Sequence, residues 1–436
     1  MALFLGIDLG TSYFKAGLFD RRGTLRGLGR VAVATSTPAP GRFELPAPTF
    51  WELLRQAVGA ALREAGVAPG EIAGLSYSSQ ASTFLLLDDH DRPLTPLISW
   101  RDTRGEGPEP ALAAFSEGDR FQEKIGFRGL TSHSAVSKWR WFQRHEPALW
   151  QRARRVMTMS DYFTYALTGE RRGDAGTAAF LGLYDLQLRE WWPAALSAFA
   201  IEARTLSMPL PPGSPCAQTT AIAATLLGLP SGIPFAVGSL DHHVGAIGAG
   251  LGLWADTSIT TGTVLAAMAL VEGVRDRSGC FHGAHTDGLR CYRLAFDAAG
   301  AGCLEEYQRR RAPALSLEAL LEQAKHEDGK GPGGHGQAVR RMLEEIAQTH
   351  RALVQRVSSG AEGGNILATG GGARSALWLQ IKADALGRPL VTSQSPEQGC
   401  LGAAIFAAVA AREFAAIAEA QTAMTRRGET YGPRGG

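Results

Sequence analysis

The chain has 436 residues, more than one ordinary hydrophobic core organises, so two domains are expected. A hydrophobic fraction of 45% and a charged fraction of 20% are those of a globular chain in water. A net charge of +2, with no basic stripe interleaved with aromatics, gives no reason to expect nucleic acid or an anionic membrane as partner.

The first residues, Met1-Ala-Leu-Phe-Leu-Gly-Ile-Asp8, lack the basic start and long apolar stretch of a signal peptide. No apolar run approaches the ~20 residues needed to span a bilayer, so a cytoplasmic location is expected. The five cysteines (216, 280, 291, 303 and 400) are widely spaced without a C-x-x-C pair, and buried reduced thiols are the expectation. Cys280, His282 and His285 lie close in sequence but lack a fourth ligand at the usual spacing, so zinc is not expected there.

In chain order, 3–8, 14–19 and 25–34 are β-rich runs. Gly10-Thr11-Ser12 and Asp20-Arg-Arg-Gly23 separate them, which predicts two consecutive hairpins. Segment 50–65 has helical spacing, with Trp51, Leu54, Val58, Ala61 and Leu62 on one face. Strands are predicted at 72–76 and 84–87. The pattern from 134 to 167 reads as helical, and its aromatics Trp139, Trp141, Phe142, Tyr162 and Phe163 read as core.

Segment 235–250 is an apolar strand running into a glycine-punctuated helix, with Asp241 at the junction. Backbone N–H groups at a helix N-terminus favour an ionised carboxylate, which suits a base that takes a proton from a hydroxyl. A structural, capped Asp is the other reading, and Gly245, Gly248 and Gly250 then serve only to pack a helix against a strand. Further strands are predicted at 257–270 and 292–296. Helices at 317–325 and 338–357 flank the glycine-rich 329–336. A strand at 366–369 runs into Gly370-Gly371-Gly372, and helices follow at 376–386 and 401–411.

Two tight turns recur, Gly10-Thr11-Ser12 and Thr261-Gly262-Thr263, each between two β-runs. Such turns present backbone N–H and hydroxyl donors to phosphate oxygens without Cβ obstruction. Together with the triple glycine they form a stronger constellation than any one of them.

Several stretches stand in the order seen in the FGGY carbohydrate kinases. They are Gly6-Ile-Asp-Leu-Gly-Thr-Ser12, Trp100-Arg-Asp-Thr-Arg104, Ser160-Asp-Tyr-Phe-Thr-Tyr-Ala-Leu-Thr-Gly169 and Gly370-Gly-Gly-Ala-Arg-Ser375-Ala-Leu-Trp378. Asp174-Ala-Gly-Thr-Ala, Tyr184-Asp-Leu and Leu401-Gly-Ala-Ala404 add to the likeness. The chain resembles that family from about residue 3 to 410.

The resemblance implies an α/β protein of two ribonuclease-H-like (actin-like ATPase) domains with an interdomain active-site cleft. The N-terminal, sugar-binding domain is expected over 1–250 and the C-terminal, nucleotide-binding domain over 251–436. The implied reaction moves the γ-phosphoryl group of ATP, with Mg²⁺, to a hydroxyl of a ketose or polyol. Position by position, Asp241 matches the catalytic base and Asp8 the carboxylate that holds the metal. Thr11 and Ser12 match the first phosphate turn, and Thr261, Gly262 and Thr263 the second. Gly300, Gly371, Gly372, Arg374 and Ser375 match the nucleotide side. Gln80, Ala81, Ser82, Trp100, Asp102, Asp241 and His242 are the implied sugar contacts.

The chain departs from the family in two places. Relatives acting on xylulose carry Met-His after the matching Gln and glycerol kinases carry Arg-Glu, whereas Gln80 is followed by Ala81 and Ser82. A stretch between Cys303 and His335 is short and lacks the Gly-Glu-Arg segment of many relatives. The leading reading is a kinase for a ketopentose such as xylulose or ribulose, a related ketose or a polyol. The alternatives are a glycerol- or tetritol-type kinase and a catalytically silent nucleotide-binding regulator. A homodimer is the default assembly.

Overall fold

The computed structural model describes residues 2–105, 109–262, 264–273, 279–297, 300, 302–325, 334–358, 363–395 and 397–434. The chain forms two compact units. One comprises Met1–Gly248, Glu272–Cys291 and Glu397–Met424; the other comprises Ala249–Val271, Tyr292–Pro396 and Thr425–Gly436.

The central sheet of the first unit has the strand order Pro215–Gln218, Pro234–Ala236, Ile72–Ser79, Leu3–Leu9, Tyr13–Asp20, Leu25–Ala32. Both predicted hairpins are present, and Leu3–Leu9 also runs parallel to Ile72–Ser79. Alternation along the first strand sends Leu3, Leu5, Ile7 and Leu9 to one face and Phe4 to the other. Helix Ala47–Ala65 covers the first face with Phe50, Leu54, Val58 and Ala61, and ends at Gly66 in a left-handed conformation (φ +67°).

Helix Gln398–Ala410 covers the other face. It approaches so closely that a Cβ on Gly6 would lie 1.9 Å from the Cys400 carbonyl oxygen. A single methyl group at position 6 would therefore push this helix off the sheet.

A smaller sheet orders Glu44–Leu45, Leu97–Ile98, Phe84–Leu87 and Arg155–Thr158. Its last strand corrects the helical reading of 134–167. That segment is helix Ala135–His145, helix Pro147–Arg152, strand Arg155–Thr158 and helix Met159–Thr168. Pairing of all four strand residues with Phe84–Leu87 outweighs local periodicity. The Thr158 hydroxyl then caps the following helix by accepting from the Asp161 N–H at 3.1 Å. Trp139, Phe142, Tyr162 and Phe163 are core, while Trp141 is only partly buried. Cys280, Cys291 and Cys400 are buried thiols, but Cys216 and Cys303 are partly exposed.

In the second unit, strands follow the order Arg290–Asp297, Leu265–Glu272, Thr257–Thr261, Ile366–Thr369, Leu390–Ser393, Arg427–Tyr431. Thr257–Thr261 is antiparallel to Leu265–Glu272 and parallel to Ile366–Thr369. The pattern of a hairpin beside a parallel strand thus occurs in both units. Helices Leu317–Lys325, His335–Val357 and Ala376–Leu386 belong to this unit. Among the described residues no helix is long and apolar enough to cross a membrane.

Candidate functional site

In the first unit, Leu3–Leu9, Ile72–Ser79 and Ser239–Leu240 are parallel, with Asp8 and Ser239 both in register with Ser78. Their carboxyl ends therefore lie side by side, the place where open α/β sheets bind ligands. Asp241 follows directly and opens helix Asp241–Ala249. This helix crosses helix Gln398–Ala410 through glycines. A Cβ on Gly248 would come within 2.1 Å of the Gln398 carbonyl oxygen, and one on Gly402 within 2.0 Å of that of Val244. The glycines are packing devices, and the packing is what places Asp241.

Asp8 Oδ1 accepts from the Ser78 hydroxyl at 3.0 Å. Lys15, opposite Asp8 in the hairpin, holds its Nζ 3.8 Å from Asp8 Oδ2 and 2.9 Å from Glu397 Oε2. Burial pushes the Asp8 carboxyl up to about 6; Lys15 opposes the rise, and the Asp241 and Glu397 charges add to it. The Asp241 charge is thus close enough to act on Asp8. Asp241 is partly buried and its Oδ1 accepts from the His242 N–H at 2.7 Å. His242 is partly buried beside it. His243 is fully buried, with Nδ1 3.1 Å from the Ser239 hydroxyl and Nε2 3.0 Å from His285 Nδ1.

The Gln80 amide ties the neighbouring turn together. Its Nε2 donates to the Gly10 carbonyl at 3.1 Å, and its Oε1 accepts from the hydroxyls of Thr11 and Thr83, both at 3.2 Å. Trp100 donates from Nε1 to Thr11 Oγ1 at 2.9 Å and from its backbone N–H to Thr83 Oγ1 at 3.0 Å. The Thr11 hydroxyl is therefore engaged with Gln80 and Trp100, while Ser12 beside it is exposed. Ala81 is partly buried, and Ser82 holds a left-handed backbone (φ +61°). A non-glycine residue kept there is locally strained, a feature that clusters at ligand sites.

Asp102 is not brought into this group as an open contact. It is fully buried, Arg104 donates from Nε and Nη2 to its two oxygens at 2.8 Å each, and the Phe43 N–H donates to Oδ2 at 2.9 Å. Its carboxylate shapes the loop that carries Trp100.

Residues that sequence reasoning did not single out complete the setting. Ser78, Lys15 and Glu397 surround Asp8. Lys138 donates to the carbonyls of Ser99, Trp100 and His133 at 3.0, 3.3 and 3.1 Å. Burial pushes its ammonium down to about 7. The His133 ring sits 6.1 Å from that of Trp100. Lys15 was findable as a charge placed across a hairpin from Asp8, whereas Lys138 and Glu397 carry no local signal.

Of the candidate zinc ligands, His282 Nδ1 lies 2.8 Å from the Gly126 carbonyl oxygen and His285 partners His243. Among the described residues no group of three or more His, Cys, Asp or Glu is arranged to hold a metal.

In the second unit, Thr260 pairs with Thr369 across parallel strands, so Thr261-Gly262 and Gly370-Gly371 leave neighbouring strands together. Their contact is tight. A Cβ on Gly370, whose φ is +80°, would lie 2.5 Å from the Thr261 carbonyl oxygen, and one on Gly372 would lie 2.6 Å from Thr261 Cγ2. The Ser375 hydroxyl accepts from the Trp378 N–H at 3.3 Å and caps helix Ala376–Leu386. Gly371 and Arg374 are exposed, and Gly300 is buried beside the start of helix Gly302–Arg311. Thr263 lies outside the described residues. This unit therefore brings together Thr261, Gly262, Gly371 and Gly372, with Ser375 and Arg374 at the edge.

Comparison with known proteins adds an independent finding. The family profile described as FGGY family of carbohydrate kinases, N-terminal domain, matches residues 3–248, and its C-terminal counterpart matches residues 287–411. The chain is 26% identical to the L-xylulose/3-keto-L-gulonate kinase of Escherichia coli K12, across 96% of this chain and 90% of that protein. It is 26% identical to the autoinducer-2 kinase of the same strain, across 98% and 90%. The crystal structure of ligand-bound xylulose kinase from Lactobacillus acidophilus superposes with a TM-score of 0.88 at 18% identity, covering 100% of this chain and 94% of that one. The last likeness establishes a shared fold.

Proposed function

The chain belongs to the FGGY family of carbohydrate kinases, phosphotransferases with an alcohol acceptor, and we propose that it phosphorylates a hydroxyl of a ketose or polyol, with ATP as donor and Asp241 as general base. A ketopentose such as xylulose or ribulose is the favoured acceptor. The observation that carries this reading is the placement of Asp241 at the head of its helix, beside the strand end that bears Asp8.

Phosphoryl transfer asks little covalent chemistry of a protein; alignment and charge neutralisation dominate. A carboxylate in reach of the acceptor hydroxyl takes its proton as the oxygen attacks the γ-phosphorus, a contribution of ~10²–10⁴-fold. In this reading Trp100, Gln80 and His242 orient the acceptor. The small Ala81 and Ser82 that follow Gln80 favour a roomier acceptor pocket. The Thr261-Gly262 turn carries the nucleotide phosphates on backbone N–H groups, and Gly371, Gly372, Arg374 and Ser375 enclose the adenosine.

Magnesium suits Asp8 by the chemistry of its donor set. This ion keeps most of its water and phosphate ligands and needs only one or two protein carboxylates. Asp8 supplies one, partly exposed, with Lys15 and Glu397 balancing charge around it. When bound, the ion neutralises charge on the phosphate oxygens.

The test is ADP release with Mg·ATP against a panel of ketoses, aldoses and polyols. A ketose or polyol as the strongest responder supports the reading. A response confined to glycerol or tetritols would replace the ketopentose assignment. ATP binding with no response to any alcohol would contradict the proposed acceptor class.

A further inference from the structure

Lys382 lies on helix Ala376–Leu386, which follows the triple glycine, and its side chain is buried. Taking an ammonium out of water costs several kcal/mol, and a carboxylate partner is the usual compensation. Lys382 has a different environment. Its Nζ donates to Thr261 Oγ1 at 2.6 Å and stands 4.2 Å from the centre of the Trp378 ring. Among the described residues no acidic group offsets its burial, which pushes the ammonium down to about 7.

Among the described residues His350, on helix His335–Val357, also faces it. His350 Nε2 lies 3.2 Å from the Thr260 carbonyl oxygen, and burial together with Lys382 pushes this histidine down to about 3. It is neutral above pH 5 and supplies no countercharge. Among the described residues this ammonium therefore has no anion beside it, and it sits directly behind Thr261, the residue on which Gly370 and Gly372 also pack.

We propose that Lys382 is a positioning residue for the nucleotide: it fixes the Thr261 side chain at the base of the turn and takes up a proton when the polyphosphate binds there. This rests on the reading of Thr261-Gly262 as a phosphate turn. The proton comes from solvent and bonds to the Nζ lone pair; no bond of the nucleotide changes. The phosphates then provide an anionic partner that no described residue gives the buried ammonium.

Calorimetric titration of the full chain with Mg·ADP at pH 8, in two buffers of different ionisation enthalpy, reads this directly. The expected result is uptake approaching about one proton per ADP, fading below pH 7 where Lys382 is already charged. Lys382→Met is expected to bind ADP on the order of tenfold more weakly and to lose the uptake. Equal uptake in the variant and the wild type would overturn the proposal. So would wild-type binding without uptake between pH 7 and 9, a result that needs no variant and leaves the phosphate-turn reading standing. Failure of the wild type to bind ADP at all would overturn that reading and this one together.

Discussion

The Trp100 indole donates to the Thr11 hydroxyl across 2.9 Å. Thr11 in turn donates to Gln80 Oε1. The first glycine turn is thereby fastened to the loop bearing Trp100, and a residue matched to phosphate binding has its hydroxyl committed within the first unit.

Trp100→Phe removes that donor and keeps most of the ring. A net hydrogen bond is worth ~0.5–1.5 kcal/mol, so the sugar KM should rise roughly 2- to 10-fold. The KM for ATP should stay within about twofold, the scatter expected where no contact is lost. Steady-state kinetics with each substrate varied in turn checks this, and an equal rise in both KM values would speak against it.

Gly372→Ala places a methyl group against Thr261 Cγ2, where only 2.6 Å is available. Overpacking of this kind costs ~1–3 kcal/mol, so nucleotide affinity should fall by roughly 5- to 150-fold. Fluorescence titration with Mg·ADP measures it. Unaltered affinity would remove the contact between the two turns from the account.

Asp102→Asn should act on stability before it acts on turnover. Removing one member of a buried ion pair costs ~3–5 kcal/mol, and with Glu44 still facing Arg104 the lower end is expected. Urea unfolding should show a clear drop in midpoint, with sugar KM in the folded variant changed by less than about threefold, since the bonds altered are those to Arg104 and the Phe43 N–H. A large KM effect at wild-type stability would return Asp102 to the list of sugar contacts.

Asp161 yields a pH prediction. Burial and the neighbouring Asp174 push its carboxyl up to about 7, against 3.8 for the ordinary side chain. Between those values the folded chain holds a proton that the unfolded chain has released. This group's contribution therefore falls as pH rises from about 4 to about 7. Asp161→Asn keeps an acceptor for the Thr158 N–H and cannot titrate. Its stability relative to wild type should be more favourable at pH 8 than at pH 5 in thermal melts. A pH-independent difference would show that Asp161 is ionised throughout.

The early hairpins and the junction at Asp241 were legible because alternation, turn residues and glycine spacing act locally. The strand Arg155–Thr158 was not, since its assignment depends on pairing with Phe84–Leu87, far away in sequence. Likewise nothing near residue 397 indicates that Glu397 meets Lys15 beside Asp8. The burial of Asp102 was not legible because a motif gives residue types, while the direction of a carboxylate depends on Arg104 and the Phe43 N–H. Lys382 carried no signal for a similar reason: its partner Thr261 belongs to a different strand.

The most direct measurement is the turnover of Asp241→Asn beside its Mg·ATP affinity, on whichever acceptor the wild type uses best. Asparagine preserves an acceptor for the His242 N–H and cannot take a proton. The expected result is a loss of ~10²–10⁴-fold in kcat with ATP affinity within about threefold of wild type. Wild-type turnover in the variant would contradict it and remove Asp241 from the chemistry.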